Sequence, residues 1–245
     1  MSTAEPFHYD PPLTPFLDIL FEDGNIMVVN KPSGLLSVPG RLRQYHDSVL
    51  SRVRTLYPEA QAVHRLDLGT SGVLVVGLNK AAISSLGRQF MQRETGKIYI
   101  ALAAGRLEGR GHIDLPMRTD IDNRPYQIID FEQGRPAQTD WEVLKSGNDY
   151  SVVRLYPKTG RSHQLRVHLK EIGHPILGDH LYAPPEVHAA AKRLCLHAEY
   201  LKFRHPVSGA VMEFFASTDF GMDEKIELML KTKGEAQAKG QFKLD

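Results

Sequence analysis

Residues 139–157, TDWEVLKSGNDYSVVRLYP, place two alternating apolar–polar runs on either side of Ser146, Gly147, Asn148 and Asp149. Alternation at period two marks a strand with one buried face, and the central four residues are turn formers, so the segment reads as a β-hairpin. Further strand-like runs lie at NIMVVN (25–30), GVLVVG (72–77) and KIYIALAAG (97–105). Helical spacing is seen at 47–57, through Val49, Leu50, Val53 and Leu56, and at 80–93, through Ile83, Leu86 and Phe90. It recurs at 162–173, where Leu165, Leu169 and Ile172 form a stripe, Ser162 is placed to cap the start and Gly173 to end the helix. Strands gathered in hairpin-like neighbours, not alternating strictly with helices, imply an α+β fold with a mixed sheet.

A chain of 245 residues that is 42% hydrophobic and 24% charged can bury one sizeable core. We expect a proline-rich N-terminal arm over 1–15, one domain over 16–220 and a polar C-terminal helix or tail over 221–245, partly disordered. The single cysteine, Cys195, excludes an internal disulfide and a cysteine-based zinc site. No secretion signal or bilayer-length apolar run is present, so the cytoplasm is the expected compartment.

The stretch HRLDLGTSG (64–72) puts an acid on the connection between the 47–57 helix and the 72–77 strand. If it is locally extended, Arg65 and Asp67 share one side and His64 and Leu66 the other. A cation beside a carboxylate favours the charged acid. Gly69 and Gly72 allow tight turns, and Thr70 and Ser71 can hold the loop through side-chain bonds to backbone. From spacing alone, a loop aspartate that merely caps a turn is the commoner case, since short motif matches often arise by chance.

GRSHQLRVHLKEIG (160–173) is dense in nitrogen, with Arg161, His163, Arg166, His168 and Lys170. His163 and His168 are five apart, about 140° around a helix, which suits a shared metal poorly. Phosphate contact and a solvated polar helix face are the two uses left open. Tyr99 in KIYIAL (97–102) reads either as half-buried packing or as a ring on which a base can stack.

Together these segments resemble the RluA family of pseudouridine synthases. HRLDLGTSG resembles its catalytic loop, KIYIAL its tyrosine strand and GRSHQLRVHL its basic helix. NKPSGLLSVPG, GRPAQTDWEVL, GHPILGDHLYA and LHAEYLKFRHPVSG match in order, so the resemblance covers about residues 16–220. It implies an α+β catalytic domain with a long mixed, mostly antiparallel sheet flanked by helices and loops. It also implies catalytic roles for Asp67, for Tyr99 stacked on the target uracil, and for Arg166 paired with Asp67. Arg65 is implied to fill the place of a flipped nucleotide, and His64, Arg161, His163 and Lys170 to contact RNA. No metal and no cofactor are implied. Too few residues precede LFEDGNIMVVNKPSG for the S4 RNA-binding domain many members carry. In this the chain most resembles members that modify 23S rRNA and the tRNA anticodon stem-loop, and a monomer is expected. A non-catalytic RNA-binding or ribosome-assembly factor, a hydrolase using Asp67, and a member with one different RNA target are the competing readings.

Overall fold

The computed structural model describes residues 8–218 and Phe220; residues 1–7 of the expected arm and the expected tail, 221–245, lie outside the described residues. Along the chain come β1 (Ile19–Glu22), β2 (Ile26–Lys31), α1 (Val49–Arg54), β3 (Gln61–Ala62), β4 (Ser71–Gly77) and α2 (Lys80–Gln92). They are followed by β5 (Gly96–Ala104), β6 (Arg110–Asp114), β7 (Met117–Thr119), β8 (Gln127–Ile129), β9 (Gln138–Lys145) and β10 (Tyr150–Pro157). The last elements are α3 (Gln164–Glu171), α4 (Pro185–Ala189), β11 (Leu196–Arg204) and β12 (Val211–Phe215).

One large sheet runs β1-β2-β4-β11-β5-β10-β9-β6, with β12 beside β11 and β3 beside β4, while β7 and β8 pair separately. Every pairing in the large sheet is antiparallel except β4 with β11. This is the α+β fold with a mixed sheet that the hairpin-rich sequence implies, and its mostly antiparallel pairing is what the family resemblance implies. The 139–157 hairpin forms as β9 and β10, with Leu155 opposite Trp141.

The apolar run of β4 is explained by burial on both faces. Val73 and Val75 pack with Ala82 and Leu86 of α2, whereas Leu74 and Val76 pack with Val49, Leu50 and Val53 of α1. A third cluster sets Leu165 and Leu169 of α3 against Ile100, Leu102, Val153 and Leu155. Tyr99 packs at the edges of two of these clusters, so the strand bearing it lies where they meet.

Buried polar side chains move several boundaries away from those the spacing suggests. On α2 the buried stripe is Ala82, Leu86 and Gln89, because the Gln89 amide bonds both the N–H (2.7 Å) and the C=O (2.9 Å) of Arg204. The predicted 162–173 helix is shorter, Gln164–Glu171, and Ser162 does not cap it. Buried Gln164 accepts from Thr159 Oγ1 (2.7 Å) and the Arg161 N–H (3.0 Å), and donates to the Gln138 carbonyl (2.9 Å). Those bonds fix residues 159–161 in a loop and leave His163 as the cap residue in a left-handed conformation (φ 54°). A non-glycine residue held there is strained, and such strain needs surrounding structure to enforce it.

Residues 8–16 are tied down rather than loose. The Tyr9 hydroxyl donates to the Asp47 carbonyl at 2.8 Å, and buried Arg52 donates to the carbonyls of Pro12 and Phe16, each at 2.8 Å. Arg52 is balanced by Asp47, at 2.7 and 2.8 Å.

Candidate active site

The catalytic loop expected over 64–72 is cradled by the last residue of β2 and the residues that follow it. Ser37 Oγ donates to the Leu66 carbonyl (2.7 Å) and accepts from its N–H (3.0 Å). The Gly34 N–H and Lys31 Nζ both bond the Leu68 carbonyl, at 2.9 and 3.2 Å, and Ser33 Oγ bonds that of Gly69 at 2.8 Å. The NKPSGLLS stretch thus holds the backbone on both sides of Asp67. Lys31 is fully buried, and burial lowers its ammonium to about 7 while the charge of Asp67 opposes that shift. Three carbonyl acceptors (Pro32, Leu35 and Leu68) take up the ammonium's three donors, which also favours its charged form.

At its far end the loop runs into β4 at the parallel junction with β11, where Ser71 lies opposite His197 and Gly72 opposite Ala198. Ser71 Oγ bonds His197 Nδ1 at 2.8 Å and accepts from Arg193 at 3.1 Å, so Ser71 holds side chains instead of backbone. The Thr70 hydroxyl is buried with no hydrogen-bond partner among the described residues, unlike the loop-holding role expected of it.

Asp67 opens onto a cleft of about 1340 Å³, larger than the pockets of roughly 300–1,000 Å³ that enclose small molecules. Its walls include the 62–70 loop, the end of α2, Lys97 and Tyr99 of β5, and residues 159–166. Among the expected site residues, His64, Arg65, Asp67, Tyr99, Arg161, His163 and Arg166 line it. Lys170 does not line it; that side chain is exposed and pairs with Glu171 at 2.7 Å.

The Asp67 carboxylate, 28% exposed, has Arg166 Nη1 at 3.5 Å from Oδ2 and His163 Nε2 at 3.9 Å from Oδ1. Arg65, expected beside it, is exposed at the rim and has no hydrogen bond or ion pair among the described residues. The shortest bonds of Arg166 go elsewhere: Nε and Nη2 meet the two carboxylate oxygens of Asp179 at 2.8 and 2.6 Å. The Tyr182 ring lies against the same guanidinium, 5.0 Å from its centroid, and the Tyr182 hydroxyl meets His163 Nδ1 at 2.6 Å. α3 is therefore not a solvated polar face. His168 is fully buried between Thr139 and the Leu115 carbonyl.

Tyr99 is half-buried, and its hydroxyl has no hydrogen-bond partner among the described residues. Burial raises its pKa, and the negative charge of Asp67 adds to that, so the phenol keeps its proton at neutral pH. A phenol in that state can pass a proton on but is not a ready base.

Cations gather on the wall facing the loop. Arg93, Lys97 and Arg161 line the cleft there, and none of the three has an ion-pair partner among the described residues. Burial lowers Lys97, with Arg93 adding to the shift, and burial lowers Arg161, with Arg135 and Arg93 adding. Sequence reading passed over Arg93, which sits one residue beyond α2 in a left-handed cap (φ 61°), because nothing in its neighbours marks it.

His64 packs inward. Its ring stacks on Phe90 with centroids 4.3 Å apart, and Nε2 accepts from the Val75 N–H at 3.1 Å. Burial holds His64 down to about 3 and His197 to about 4. Both therefore fold neutral, while the unfolded chain takes up their protons near pH 6.5. Below that pH the unfolded state binds more protons, so stability falls. We expect the denaturation midpoint to drop steadily from pH 7 to 4.5, and His64→Gln to flatten part of the drop. A midpoint independent of pH over that range would refute the assignment.

A family model described as RNA pseudouridylate synthase matches residues 25–171. The chain belongs to that family. This RNA pseudouridylate synthase is 54% identical over 215 residues to the dual-specificity RNA pseudouridine synthase RluA of Escherichia coli (strain K12). The match covers 87% of this chain and 98% of that protein. The Haemophilus influenzae protein of the same name is 50% identical over 214 residues, covering 86% of this chain and 98% of its own. Among solved structures, human RNA pseudouridylate synthase domain containing 1 superposes with a TM-score of 0.70 at 31% identity. That superposition covers 93% of this chain and 98% of the human one. The enzyme is thus an isomerase acting on RNA. No helix among the described residues is long and apolar enough to cross a membrane.

Proposed function

We propose that this synthase isomerises uridines in two RNAs, a loop of 23S rRNA and the tRNA anticodon stem-loop, and that it acts as a monomer. Support comes from the dual-specificity name of relatives aligned over 98% of their length. The observation carrying the site assignment is that, among the described residues, one carboxylate, Asp67, faces an open cleft with a guanidinium 3.5 Å away and cations without ion-pair partners along the opposite wall.

The reaction breaks N1–C1′, turns the uracil and joins C5 to C1′; the C5 proton then leaves and N1 gains one. Asp67 supplies the carboxylate that either attacks the substrate or removes a ribose proton. Arg166 orients it, and Tyr99 stacks on the uracil and relays the C5 proton. Extruding the base costs a few kcal/mol, of which stacking on Tyr99 returns about 1–3 kcal/mol. Exposed Arg65 fills the vacated stack. Arg93, Lys97, Arg161 and His163 contact phosphates, so binding weakens as salt rises. Lys170, outside the cleft, reaches only RNA that extends past it.

Tyr99→Phe is expected to keep RNA affinity and to stop turnover after base stacking; near-normal turnover removes the hydroxyl from proton transfer. Mapping pseudouridines in rRNA and tRNA from cells with and without the protein tests dual specificity directly. Loss at sites in only one RNA class would leave a single-target enzyme.

A further inference from the structure

Arg166 divides its donors unequally, and Asp179 is the reason. We propose that Asp179 is a positioning residue for the isomerisation, acting only through Arg166, whose one remaining nitrogen it aims at Asp67. This rests on the assignment of Asp67 and Arg166 to the reaction.

Asp179 is fully buried, and its oxygens take Arg166 Nε (2.8 Å) and Nη2 (2.6 Å) together with the N–H groups of Leu181 (2.9 Å) and Tyr182 (3.2 Å). Burial works against the carboxylate, but the Arg166 bonds and the two N–H groups outweigh it and hold its pKa below the ordinary value. Bonds of 2.6–2.8 Å are charge-assisted lengths, while the 3.5 Å approach to Asp67 is at the limit of a hydrogen bond. Asp179 therefore satisfies the guanidinium charge, and Asp67 is oriented without being consumed by a close ion pair. Its oxygens stay available to substrate.

The backbone carrying Asp179 is itself immobilised. Gly178 has φ +74°, and a Cβ there would lie 1.9 Å from the Arg193 carbonyl oxygen. The Leu177 N–H bonds the Leu102 carbonyl and the Cys195 N–H bonds that of Leu177, each at 2.9 Å. Tyr182 closes the arrangement from the guanidinium face back to His163.

The test is a cycle on the full chain: wild type, Asp179→Asn, Arg166→Ala and the double variant. Single-turnover pseudouridine formation is read on a tRNA anticodon stem-loop transcript and on a 23S rRNA fragment, with RNA binding and melting temperature measured alongside. Asp179→Asn is expected to cut the rate roughly a hundredfold, the scale of a misplaced catalytic group, with RNA affinity within about threefold. In the Arg166→Ala background it should cost no further rate and should raise the melting temperature, because it neutralises a carboxylate left buried without its cation. Equal rate losses in both backgrounds, or a folded Asp179→Asn enzyme at wild-type rate, overturns the proposal. Where Asp179→Asn does not fold, Asp179→Glu replaces it: charge is kept but displaced by one methylene, and an unchanged rate then overturns the positioning role. A wild-type protein inactive on both RNAs would instead strike the functional reading, visible in the first member of the series.

Discussion

Asp67→Asn is expected to abolish pseudouridine formation, by roughly 10⁴-fold or more, while the protein folds and binds RNA as before. Among the described residues no other acid facing the cleft can replace it, since Asp179 is buried behind Arg166 with both oxygens occupied. The stability cost should be small, within about 0.5 kcal/mol, because the carboxylate is 28% exposed and its contact with Arg166 is long. RNA affinity should hold or rise slightly, since one negative charge leaves a cleft that meets phosphates. Single-turnover kinetics and filter binding on the same preparation check the prediction. Parallel loss of binding and catalysis would make Asp67 a structural residue of the loop.

Gly72→Ala should produce the largest loss of stability, about 3–5 kcal/mol. Gly72 has φ +116°, where side chains are strained, and a Cβ there would lie 2.2 Å from the carbonyl oxygen of Ala198. The obstacle is backbone in the sheet's sole parallel pairing among the described residues, so it cannot swing aside as a side-chain tip can. Relief means parting β4 from β11, and the loop carrying Asp67 enters the sheet at that point. Activity should fall with folded fraction as temperature rises. Gly87→Ala is the contrast: a Cβ there meets nothing within 4 Å, and the position lies inside α2. That change should stabilise by about 0.5–1 kcal/mol. Equal melting temperatures for the two variants would contradict the close-approach argument.

Much of this was legible along the chain because it is local. The alternation in 139–157, the β-branched run of β4 and the apolar spacing of α1 each report how a short segment meets a core. The glycines around Asp67 announce a tight loop, and the resemblance of HRLDLGTSG, KIYIAL and GRSHQLRVHL assigned the chemistry to Asp67, Tyr99 and Arg166. Helix limits were less legible. Gln164 and Gln89 look like surface residues by type, yet each is buried because its amide finds backbone or side-chain partners elsewhere in the fold.

Sequence by itself determined the α+β class, the segments that build the sheet and the types of group available to the reaction. Tertiary structure decided which charges share them. Arg166 is committed to Asp179 and only reaches toward Asp67, Arg65 stands apart at the rim, and His64 turns inward to Phe90. Such choices depend on distances of a few ångströms between residues far apart in the chain and on which of them lose water. Spacing along a chain encodes neither quantity.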